Sequence, residues 1–469
     1  MSQSNEKEST QNNTQDQNKK IIITADFPEL VDLVEHNERP AFAIKSNGAI
    51  EIVPQAEKDH AILVPPSADK IPWLLPRGAE VIKHYREIVQ SPTNYNAKLF
   101  AELVSYHQLV AELPDDAYYD LIAAWDMHTY RLEAVQYSPI IYCYAVPERG
   151  KSRTGKAAIY VAYRGIHLES LREPYIIRVA KDLRATLFFD VMDLWAKAQK
   201  SGSEDIMLMR FEKGSKIPRV MHPDWGPHRD IVYYEAFGAT FAATNEPINS
   251  ILESRAVQIN MPETAKTFDN EIKPEHGRPL RERLVAFRAF YLNAPLCDIP
   301  KPARGRLGDI LRPLQQIIKL VRPDREAAFL SLVQKIEAGR RAEKSGSVEA
   351  QLITILGKLR QNVDRGMLPV KLIADYFNKD RPEKHQWTYQ FIGKKLSSLG
   401  FQKSSTSSGN ATLIWNDDLL LRVAERYGLG KTPASPVSPV PQFHNAGETG
   451  ETGDTGVSTD TLQQQTALN

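Results

Sequence analysis

Apolar positions along the chain predict strands and helices in the order of a layered α/β protein. Short apolar runs separated by turn residues predict strands between residues 20 and 66, and Asn47-Gly48 between two of these runs predicts a tight hairpin. From residue 96 to residue 135, apolar side chains recur at helical spacing instead. Strands and helices then alternate as far as residue 262, which is typical of a largely parallel sheet.

Beyond this region the apolar pattern changes twice. Residues 275–345 read as helical, with one amphipathic stripe between residues 307 and 321. The segment RRAEKSGS, residues 340–347, is expected to be a linker. Residues 350–415 predict three helices followed by two strands around a Ser- and Gly-rich tip. Ile392 and Leu396 give the third helix an apolar inner face. This order of elements predicts a winged helix-turn-helix domain.

Composition places the chain among ordinary globular proteins. It has 469 residues, of which 42% are hydrophobic and 25% charged. No apolar run approaches the roughly 20 residues that a membrane span needs, and the polar N-terminus lacks the apolar core of a signal peptide. Two cysteines, Cys143 and Cys297, give no basis for a disulfide framework or a cysteine-based zinc site. We therefore expect a cytoplasmic protein without a membrane partner.

Charge is distributed unevenly along the chain. The formal net charge is only +1, which excludes a protein that is basic throughout. Residues 351–430, however, carry 12 lysines and arginines against 7 aspartates and glutamates, a net charge of +5. Positive charge concentrated in one predicted domain favours contact with nucleic acid.

One segment fits the phosphate-loop pattern. Residues 145–152 read AVPERGKS, with Ala145 at the position of the first glycine. In such a loop, backbone N–H groups surround phosphates, a lysine reaches the β- and γ-phosphates, and a hydroxyl holds Mg2+. A predicted strand precedes the loop and a predicted helix follows, so the phosphates would meet a helix N-terminus. The predicted nucleotide-binding residues are Ala145, Arg149, Gly150, Lys151, Ser152 and Arg153. A second register that ends at Lys156 lacks the hydroxyl; the competing interpretation is a surface loop with ordinary lysines.

Downstream polar residues strengthen the nucleotide interpretation. The apolar strand within residues 185–193 ends in Asp190, which we predict to orient Mg2+ together with Ser152. Many such ATPases have a water-activating glutamate next, but here Val191 follows, and Asp193 is the nearest replacement. Asp193 fits the cap of a following helix equally well.

Two further catalytic candidates follow the next apolar strand. Asn245 lies at the tip of that strand, where a polar side chain can position the attacking water. Arg255 stands just before another apolar strand and is a candidate finger on the γ-phosphate of a neighbouring subunit. A surface salt bridge is the alternative role for Arg255.

Phosphate loop, acidic strand, Asn-tipped strand and arginine occur in an order that resembles the ring-forming, helicase-like P-loop ATPases of the AAA+ superfamily. The segments LIAAWDMHTYRLEAVQYSPIIYCYA, ATNEPI and SRAVQINMP are also similar to bacterial and phage primase-associated helicase-like proteins. The resemblance covers roughly residues 115–320. It implies ATP and Mg2+ as cofactors, a homo-oligomeric ring, and a DNA motor of a mobile element or phage-type replication system.

The third helix of the predicted winged helix presents a polar outer face. A helix of this kind suits the major groove, and the wing suits phosphates. The predicted DNA-binding residues are Gln390, Lys394, Lys395, Ser397 and Lys403. A winged helix that contacts protein is the alternative.

These predictions combine into an α/β P-loop NTPase core flanked by a mixed α+β N-terminal region and a C-terminal winged helix. The predicted parts are a disordered tail at 1–20, the α+β region at 21–115, the ATPase core at 116–270, a helical lid and linker at 271–345, the winged helix at 348–430 and a disordered tail at 431–469. The predicted function is an ATP-hydrolysing, DNA-associated motor. The alternative is a DNA-binding regulator switched by nucleotide without appreciable hydrolysis.

Two further groups of side chains do not indicate a functional site. His222 and His228 flank Trp225 at a spacing that does not fit a helical metal pair, and no cysteine is near. We expect a turn with exposed imidazoles. Cys143 lies in a predicted core strand and is expected to be an inert, buried thiol.

Overall fold

The computed structural model describes residues 20–226, 228–405 and 411–429, apart from the side chain of residue 223. The predicted tails, except Lys20, and the tip of the predicted wing lie outside these residues. The chain divides into two compact units, Met1–Arg340 and Arg341–Asn469. Within the described residues no helix is both long and apolar enough to cross a membrane.

The first unit begins with two small sheets. Their strands are β1 Lys20–Ile23, β2 Leu30–His36, β3 Arg39–Ser46, β4 Ala49–Val53, β5 Ala56–Lys58 and β6 Ala61–Val64. β2, β3 and β4 form an antiparallel sheet, while β6 pairs parallel with β1 and antiparallel with β5. The predicted hairpin is confirmed: Ser46 faces Ala49, and Asn47 and Gly48 have φ angles of 50° and 78°. Both values suit the type I′ turn that joins twisted strands.

Three helices lead from these strands to the central sheet. They are α1 Gly78–Gln90, α2 Pro92–Gln108 and α3 Asp116–Thr129. Every residue of α3 from Tyr119 to its end is buried, which explains why apolar residues occupy more than one face of this helix. Short 3-10 helices in the chain lie at Ala68–Lys70, Leu132–Ala134, Pro223–Trp225, Pro323–Arg325, Leu359–Asn362 and Glu383–His385.

The centre of the unit is a sheet of five parallel strands, as the alternating pattern predicts. The strands are β7 Ile140–Tyr144, β8 Gly165–Leu168, β9 Thr186–Asp190, β12 Thr240–Thr244 and β13 Ala256–Asn260. Their spatial order is β13-β7-β12-β9-β8. β12 therefore lies between the strand that leads into the predicted phosphate loop and the strand that ends in Asp190. All their carboxyl ends meet at one edge of the sheet.

Helices and one hairpin connect these strands. The helices are α4 Lys151–Val161, α5 Glu173–Leu183, α6 Leu194–Ser201, α7 Glu204–Met209 and α8 Ser250–Glu253, and the hairpin consists of β10 Lys216–Val220 and β11 Ile231–Glu235. Gly155 lets α4 lie close to the sheet, because a Cβ at this position would approach the Phe188 ring to 2.2 Å.

Three longer helices follow: α9 Pro274–Tyr291, α10 Gly305–Val321 and α11 Glu326–Ser345, of which α11 runs a few residues past the end of the unit. A bidentate ion pair between Arg77 and Glu282 fixes the start of α1 against α9. The predicted N-terminal region, ATPase core and helical lid share one continuous hydrophobic core. α11 continues through most of the segment expected to be a linker, whose alanine, arginine, glutamate and lysine residues favour helix.

The second unit has its own hydrophobic core. Its elements are α12 Val348–Lys358, β14 Met367–Pro369, α13 Val370–Asn378, α14 Tyr389–Ser398, β15 Lys403–Ser405, β16 Ala411–Ile414 and α15 Asp417–Arg426. The strands form a small antiparallel sheet in the order β14-β16-β15. Ile392 and Leu396 of α14 are buried, as predicted from their spacing.

Candidate functional site

The predicted phosphate loop joins the carboxyl end of β7 to the first residue of α4. Gly150 occupies the N-cap position of α4 with a φ angle of 78°, a left-handed conformation that glycine adopts without steric cost. A Cβ there would also lie 3.3 Å from the Cβ of Ala111. The unpaired N–H groups of the first turn of α4 point out of the helix end, where an anion is stabilised. Ala145, at the first position of the motif, is buried.

Lys151 lies at this helix end with its side chain folded back over the loop. Its Nζ donates a hydrogen bond to the Val146 carbonyl at 3.2 Å, and the residue is buried. Burial lowers the pKa of Lys151, although the negative charge of Asp190 opposes the shift. Among the described residues no carboxylate forms an ion pair with it. Lys151 is thus a buried ammonium that one neutral carbonyl holds in place.

Ser152 and Asp190 meet at the carboxyl edge of the sheet. The Ser152 hydroxyl donates to the Asp190 carboxylate at 2.9 Å, and Lys151 precedes Ser152 in the same turn. Burial raises the pKa of Asp190, but the adjacent His167 imidazole and the hydrogen bond from Ser152 outweigh burial and leave the pKa below its ordinary value. Asp190 is therefore ionised at neutral pH. The pair offers the hard oxygen donors that Mg2+ prefers.

The donor set fits Mg2+ bound in the manner of a nucleotide site. The described residues contain no cluster of three or more His, Cys, Asp or Glu side chains able to hold a metal on its own. Mg2+ commonly takes only one or two protein carboxylates and completes its shell with waters and phosphate oxygens. Ser152 and Asp190 suffice for that kind of coordination.

His167 is a neighbour of the site that sequence reasoning missed. It lies on β8, and its Nε2 is 3.7 Å from the second carboxylate oxygen of Asp190. The imidazole stacks on Phe188, with ring centroids 4.9 Å apart. No motif surrounds this residue, and only the pairing of β8 with β9 brings it to Asp190.

The two arginines of the predicted loop contact protein groups. Arg149 forms an ion pair with Glu263 at 3.1 Å. Arg153 donates to the carbonyls of Val110 and Asn270, at 3.2 and 2.8 Å. Arg153 thereby ties the start of α4 to the segments that flank it, whereas Arg149 is held by one largely exposed carboxylate.

The predicted water-positioning residues follow the ends of β9 and β12. Asp193 is exposed, occupies the N-cap position of α6 with a φ angle of 52°, and makes no capping hydrogen bond. The cap comes from Glu246, whose carboxylate accepts from the Trp195 N–H at 2.8 Å. Asn245 is half-buried at the tip of β12. Glu246 thus performs the capping role considered for Asp193, and the Asp193 carboxylate makes no such contact.

Arg255 lies at the opposite edge of the sheet. Its carbonyl accepts from the N–H of Ile140, the first residue of β7, whereas the phosphate loop follows the last residue, Tyr144. At about 3.3 Å per residue, the length of β7 places roughly 13 Å between the two edges. The Arg255 guanidinium lies 5.0 Å from the centroid of the Phe211 ring and donates to the Ile251 carbonyl.

The β10–β11 hairpin exposes large apolar side chains. Met221, Trp225 and Tyr233 are 46%, 59% and 59% exposed. His222, also exposed, stacks on Trp225 with centroids 3.8 Å apart and planes 19° from parallel. The expectation of exposed imidazoles in this turn is confirmed for His222 and His228. Exposed aromatic rings are suitable platforms for stacking unpaired bases.

The predicted DNA-binding residues of the second unit differ in their partners. Gln390, Lys394, Ser397 and Lys403 are exposed. Lys395 is half-buried, and its Nζ forms an ion pair with Glu349 at 2.7 Å. Burial raises the pKa of Glu349, but hydrogen bonding from Lys395 outweighs it and lowers the pKa. Ser397 donates to the Gly393 carbonyl of its own helix.

Cys143, on β7, is fully buried, as its position in a core strand predicts. Burial raises the pKa of its thiol. A protonated, enclosed thiol is a poor nucleophile, so Cys143 acts as a small packing residue beneath the loop.

Comparison with known proteins gives only distant structural similarities. No family model and no curated protein matches the chain. The chain is similar to an apo structure of the NrS-1 C-terminal region at 11% identity and a TM-score of 0.32, covering 82% of this chain and 96% of that one. It is also similar to SCCmec type IV Cch, described as an active helicase, at 12% identity and a TM-score of 0.37, covering 87% and 80%. At such low TM-scores these similarities carry no functional weight.

Proposed function

We propose that this protein binds ATP with Mg2+ at the carboxyl edge of its parallel sheet and hydrolyses it as a helicase-like motor on DNA. The observation that supports the proposal most directly is the hydrogen bond from Ser152 to Asp190, beside Lys151, at the N-terminus of α4. A lysine, a hydroxyl and a carboxylate at a helix end are the groups that a nucleoside triphosphate and its metal need.

Each residue has a distinct role in this proposal. The N–H groups at the start of α4 receive phosphate oxygens, and Lys151 exchanges the Val146 carbonyl for the β- and γ-phosphates. Ser152 and Asp190 hold Mg2+, which when bound neutralises charge that develops on the phosphate oxygens. Asn245 orients the attacking water. Asp193, without a capping bond to hold it, is the carboxylate we assign to receive a proton from that water.

The competing function is a regulator in which ATP only switches DNA binding. It is favoured by the buried Val191, which stands where a catalytic glutamate is usual. Steady-state ATP turnover with and without single- and double-stranded DNA separates the two functions. We expect turnover that DNA accelerates, and Asp193→Asn should remove turnover while ATP binding persists. Tight ATP binding with no turnover by the wild-type protein would support the regulator.

The β10–β11 hairpin and the second unit are the proposed DNA contacts. Stacking of one base on an aromatic side chain contributes about 1–3 kcal/mol, so Trp225→Ala should weaken single-stranded DNA binding about tenfold. Leu109→Ala, which truncates an exposed apolar residue at the end of α2, is the matched control. Equal affinity of the two variants, measured by fluorescence anisotropy, would remove the hairpin from the proposal. The second unit would contribute through α14 as a winged helix.

A ring-shaped homo-oligomer completes the proposal. Because Arg255 lies at the edge opposite the phosphate loop, it is suited to reach the nucleotide of a neighbouring copy and not its own. A fully active protein that is strictly monomeric by light scattering would contradict this arrangement.

A further inference from the structure

A surface cavity of about 390 Å³ lies where α1 is joined to α2. A single residue, Ser91, connects the two helices, and Arg283 of α9 supplies part of the wall. The volume is within the range of small-ligand sites. No residue of the proposed nucleotide site lines this cavity, so it needs an explanation of its own.

The N-terminus of α2 meets this cavity without a cap. Ser91 is the N-cap residue and lines the cavity, but its side chain makes no capping hydrogen bond, and Pro92 has no N–H to donate. The N–H groups of Thr93 and Asn94 belong to the first turn, so the helix itself offers them no acceptor. The first turn also contains no acidic side chain. Free N–H groups and the helix dipole together favour an anion at this end.

Arg283 is a second, independent indication of a ligand in the same cavity. Its side chain is only 10% exposed, and its buried Nε has no hydrogen-bond acceptor among the described residues. The Nη1 atom is paired with Glu102, and the guanidinium carbon lies 5.0 Å from the centroid of the Tyr95 ring. The Tyr95 hydroxyl donates to the Arg283 carbonyl at 3.1 Å, which fixes the two residues to each other. Removing a charged donor from water costs free energy unless an acceptor replaces the water.

The charges around the cavity also favour an anion. Lys98 follows Asn94 by one turn on the same face of α2, is exposed, and has no acidic partner among the described residues. Glu87 is the one carboxylate in the lining, and one of its oxygens is 2.9 Å from Nδ1 of His84. Two permanent cations, Lys98 and Arg283, therefore stand against one carboxylate that already has a partner. A guanidinium, an ammonium and backbone N–H groups are the donors that bind phosphate oxygens.

We propose that this cavity binds a phosphate group between the N-terminus of α2, Lys98 and Arg283. The site is separate from the phosphate loop, since α2 has 17 residues and is therefore about 25 Å long. The loop lies near the other end of α2, where the Val110 carbonyl accepts from Arg153 at 3.2 Å. The inference goes beyond the proposed ATP site because it uses none of its residues. The phosphate belongs either to a free small molecule or to the DNA backbone, and the experiment separates these sources.

The main test compares Ser91→Asp with Ser91→Asn, two side chains of similar shape that differ in charge. Ser91 is exposed, so both variants should fold. Both are made in the full chain together with Lys151→Ala, which removes the phosphate loop as a competing site. Binding of inorganic phosphate is measured by phosphorus NMR line width at constant ionic strength. A carboxylate beside the bound phosphate repels it, so Ser91→Asp should bind at least about tenfold more weakly than Ser91→Asn.

Two further variants, in the same Lys151→Ala background, test the cations of the site. Lys98→Gln should weaken phosphate binding about threefold, as expected for an exposed charge pair. Lys319→Gln, which removes an exposed lysine of α10, is the control and should change nothing. Glu102→Gln releases Arg283 from its carboxylate partner and should tighten phosphate binding about threefold. A gain in affinity cannot result from misfolding.

Fluorescence anisotropy with single- and double-stranded oligonucleotides identifies the source of the phosphate. Weaker DNA binding by Ser91→Asp than by Ser91→Asn would assign the site to the DNA backbone. A difference confined to inorganic phosphate would assign it to a free phosphorylated molecule. Equal affinity of the two variants for both inorganic phosphate and DNA would overturn the proposal. A loss in Lys319→Gln as large as that in Lys98→Gln would also overturn it, because the effect would then come from overall charge.

Discussion

The two edges of the parallel sheet differ in how their charged side chains are partnered. At the carboxyl edge, the Ser152 hydroxyl binds Asp190 and the Lys151 ammonium binds a loop carbonyl. At the amino edge, Arg255 and Arg306 share an aromatic ring and a hydroxyl but contact no acid among the described residues. One edge holds the residues that we propose to bind nucleotide. The other holds two arginines without an acidic partner among the described residues, which is the arrangement that the proposed ring requires.

The largest effect is expected from removing the charge of Asp190. Asp190→Asn keeps an acceptor for the Ser152 hydroxyl but loses the carboxylate that we propose to hold Mg2+. Several kcal/mol of charge stabilisation would be lost, so ATP turnover should fall by about 100-fold or more. Asp182→Asn, an exposed position on α5, is the control. Turnover that stays near the wild-type rate in Asp190→Asn would exclude Asp190 as a metal ligand.

A somewhat smaller effect should follow from changes to the loop lysine. Loss of a charge-assisted hydrogen bond of about 1.5–3 kcal/mol predicts ATP binding about 10- to 100-fold weaker in Lys151→Ala. Lys156→Ala, one turn further along α4, should change affinity little. Titration calorimetry with ATP and Mg2+ measures both variants. A silent Lys151→Ala with a damaging Lys156→Ala would show that the phosphate loop uses the second register.

Local parts of the site could be predicted from the sequence, whereas contacts between distant segments could not. Lys151 and Ser152 belong to one local motif, and the five parallel strands follow from apolar runs that alternate with helical segments. The contact between Ser152 and Asp190 depends on β12 lying between β7 and β9. Strand order depends on packing of the whole chain, and no local pattern encodes it.

Contacts between distant segments were beyond sequence reasoning for the same reason. Arg306 reaches Phe211 only because α10 packs beside the sheet, and His167 reaches Asp190 only through strand pairing.

The predicted boundary between residues 115 and 116 illustrates a related limit. A boundary drawn from changes in pattern gives no information on burial, and the ion pair between Arg77 and Glu282 joins helices on either side of it.

The third prediction concerns His128, a buried histidine near the amino edge of the sheet that should make the free energy of unfolding depend on pH. A hydrogen bond joins the imidazole of His128 to the Ser138 hydroxyl at 2.9 Å, and the Ser138 N–H donates to the Phe211 carbonyl. Burial lowers the pKa of His128 to about 3. In the unfolded chain the pKa is about 6.5, so between these values the unfolded state binds the extra proton. The free energy of unfolding should therefore fall as the pH decreases below about 6.5, by up to about 1.4 kcal/mol per pH unit.

Urea unfolding at a series of pH values measures this dependence. His128→Gln lacks the titrating group, so its unfolding free energy should fall less between pH 6.5 and pH 5 than that of the wild-type protein. His276→Gln replaces an exposed histidine of α9 and should keep the wild-type slope. Parallel curves for wild type and His128→Gln would contradict a buried, neutral His128 under the amino edge.

The smallest effect is expected in the second unit, where only one of two adjacent lysines forms an ion pair with an acidic residue. Lys395 is paired with Glu349, whereas Lys394 is exposed and has no acidic partner among the described residues. If an unpaired cation is the one available to an external anion, Lys394→Ala should weaken DNA binding more than Lys395→Ala. A single phosphate contact predicts a loss of about 1 kcal/mol, roughly fivefold.

The salt dependence of binding gives this last comparison a second readout. Release of counterions makes the logarithm of the affinity fall linearly with the logarithm of salt concentration, with a slope that counts phosphate contacts. Lys394→Ala should reduce that slope by about one unit, and Lys395→Ala should leave it nearly unchanged. Residues 341–469 have their own hydrophobic core, so the measurement can be made on this unit alone. A larger loss of DNA affinity in Lys395→Ala than in Lys394→Ala would contradict this expectation, because the paired lysine would then be the DNA contact. Absence of binding at about 50 mM salt would instead favour a protein partner for this unit, since phosphate contacts are strongest at low salt.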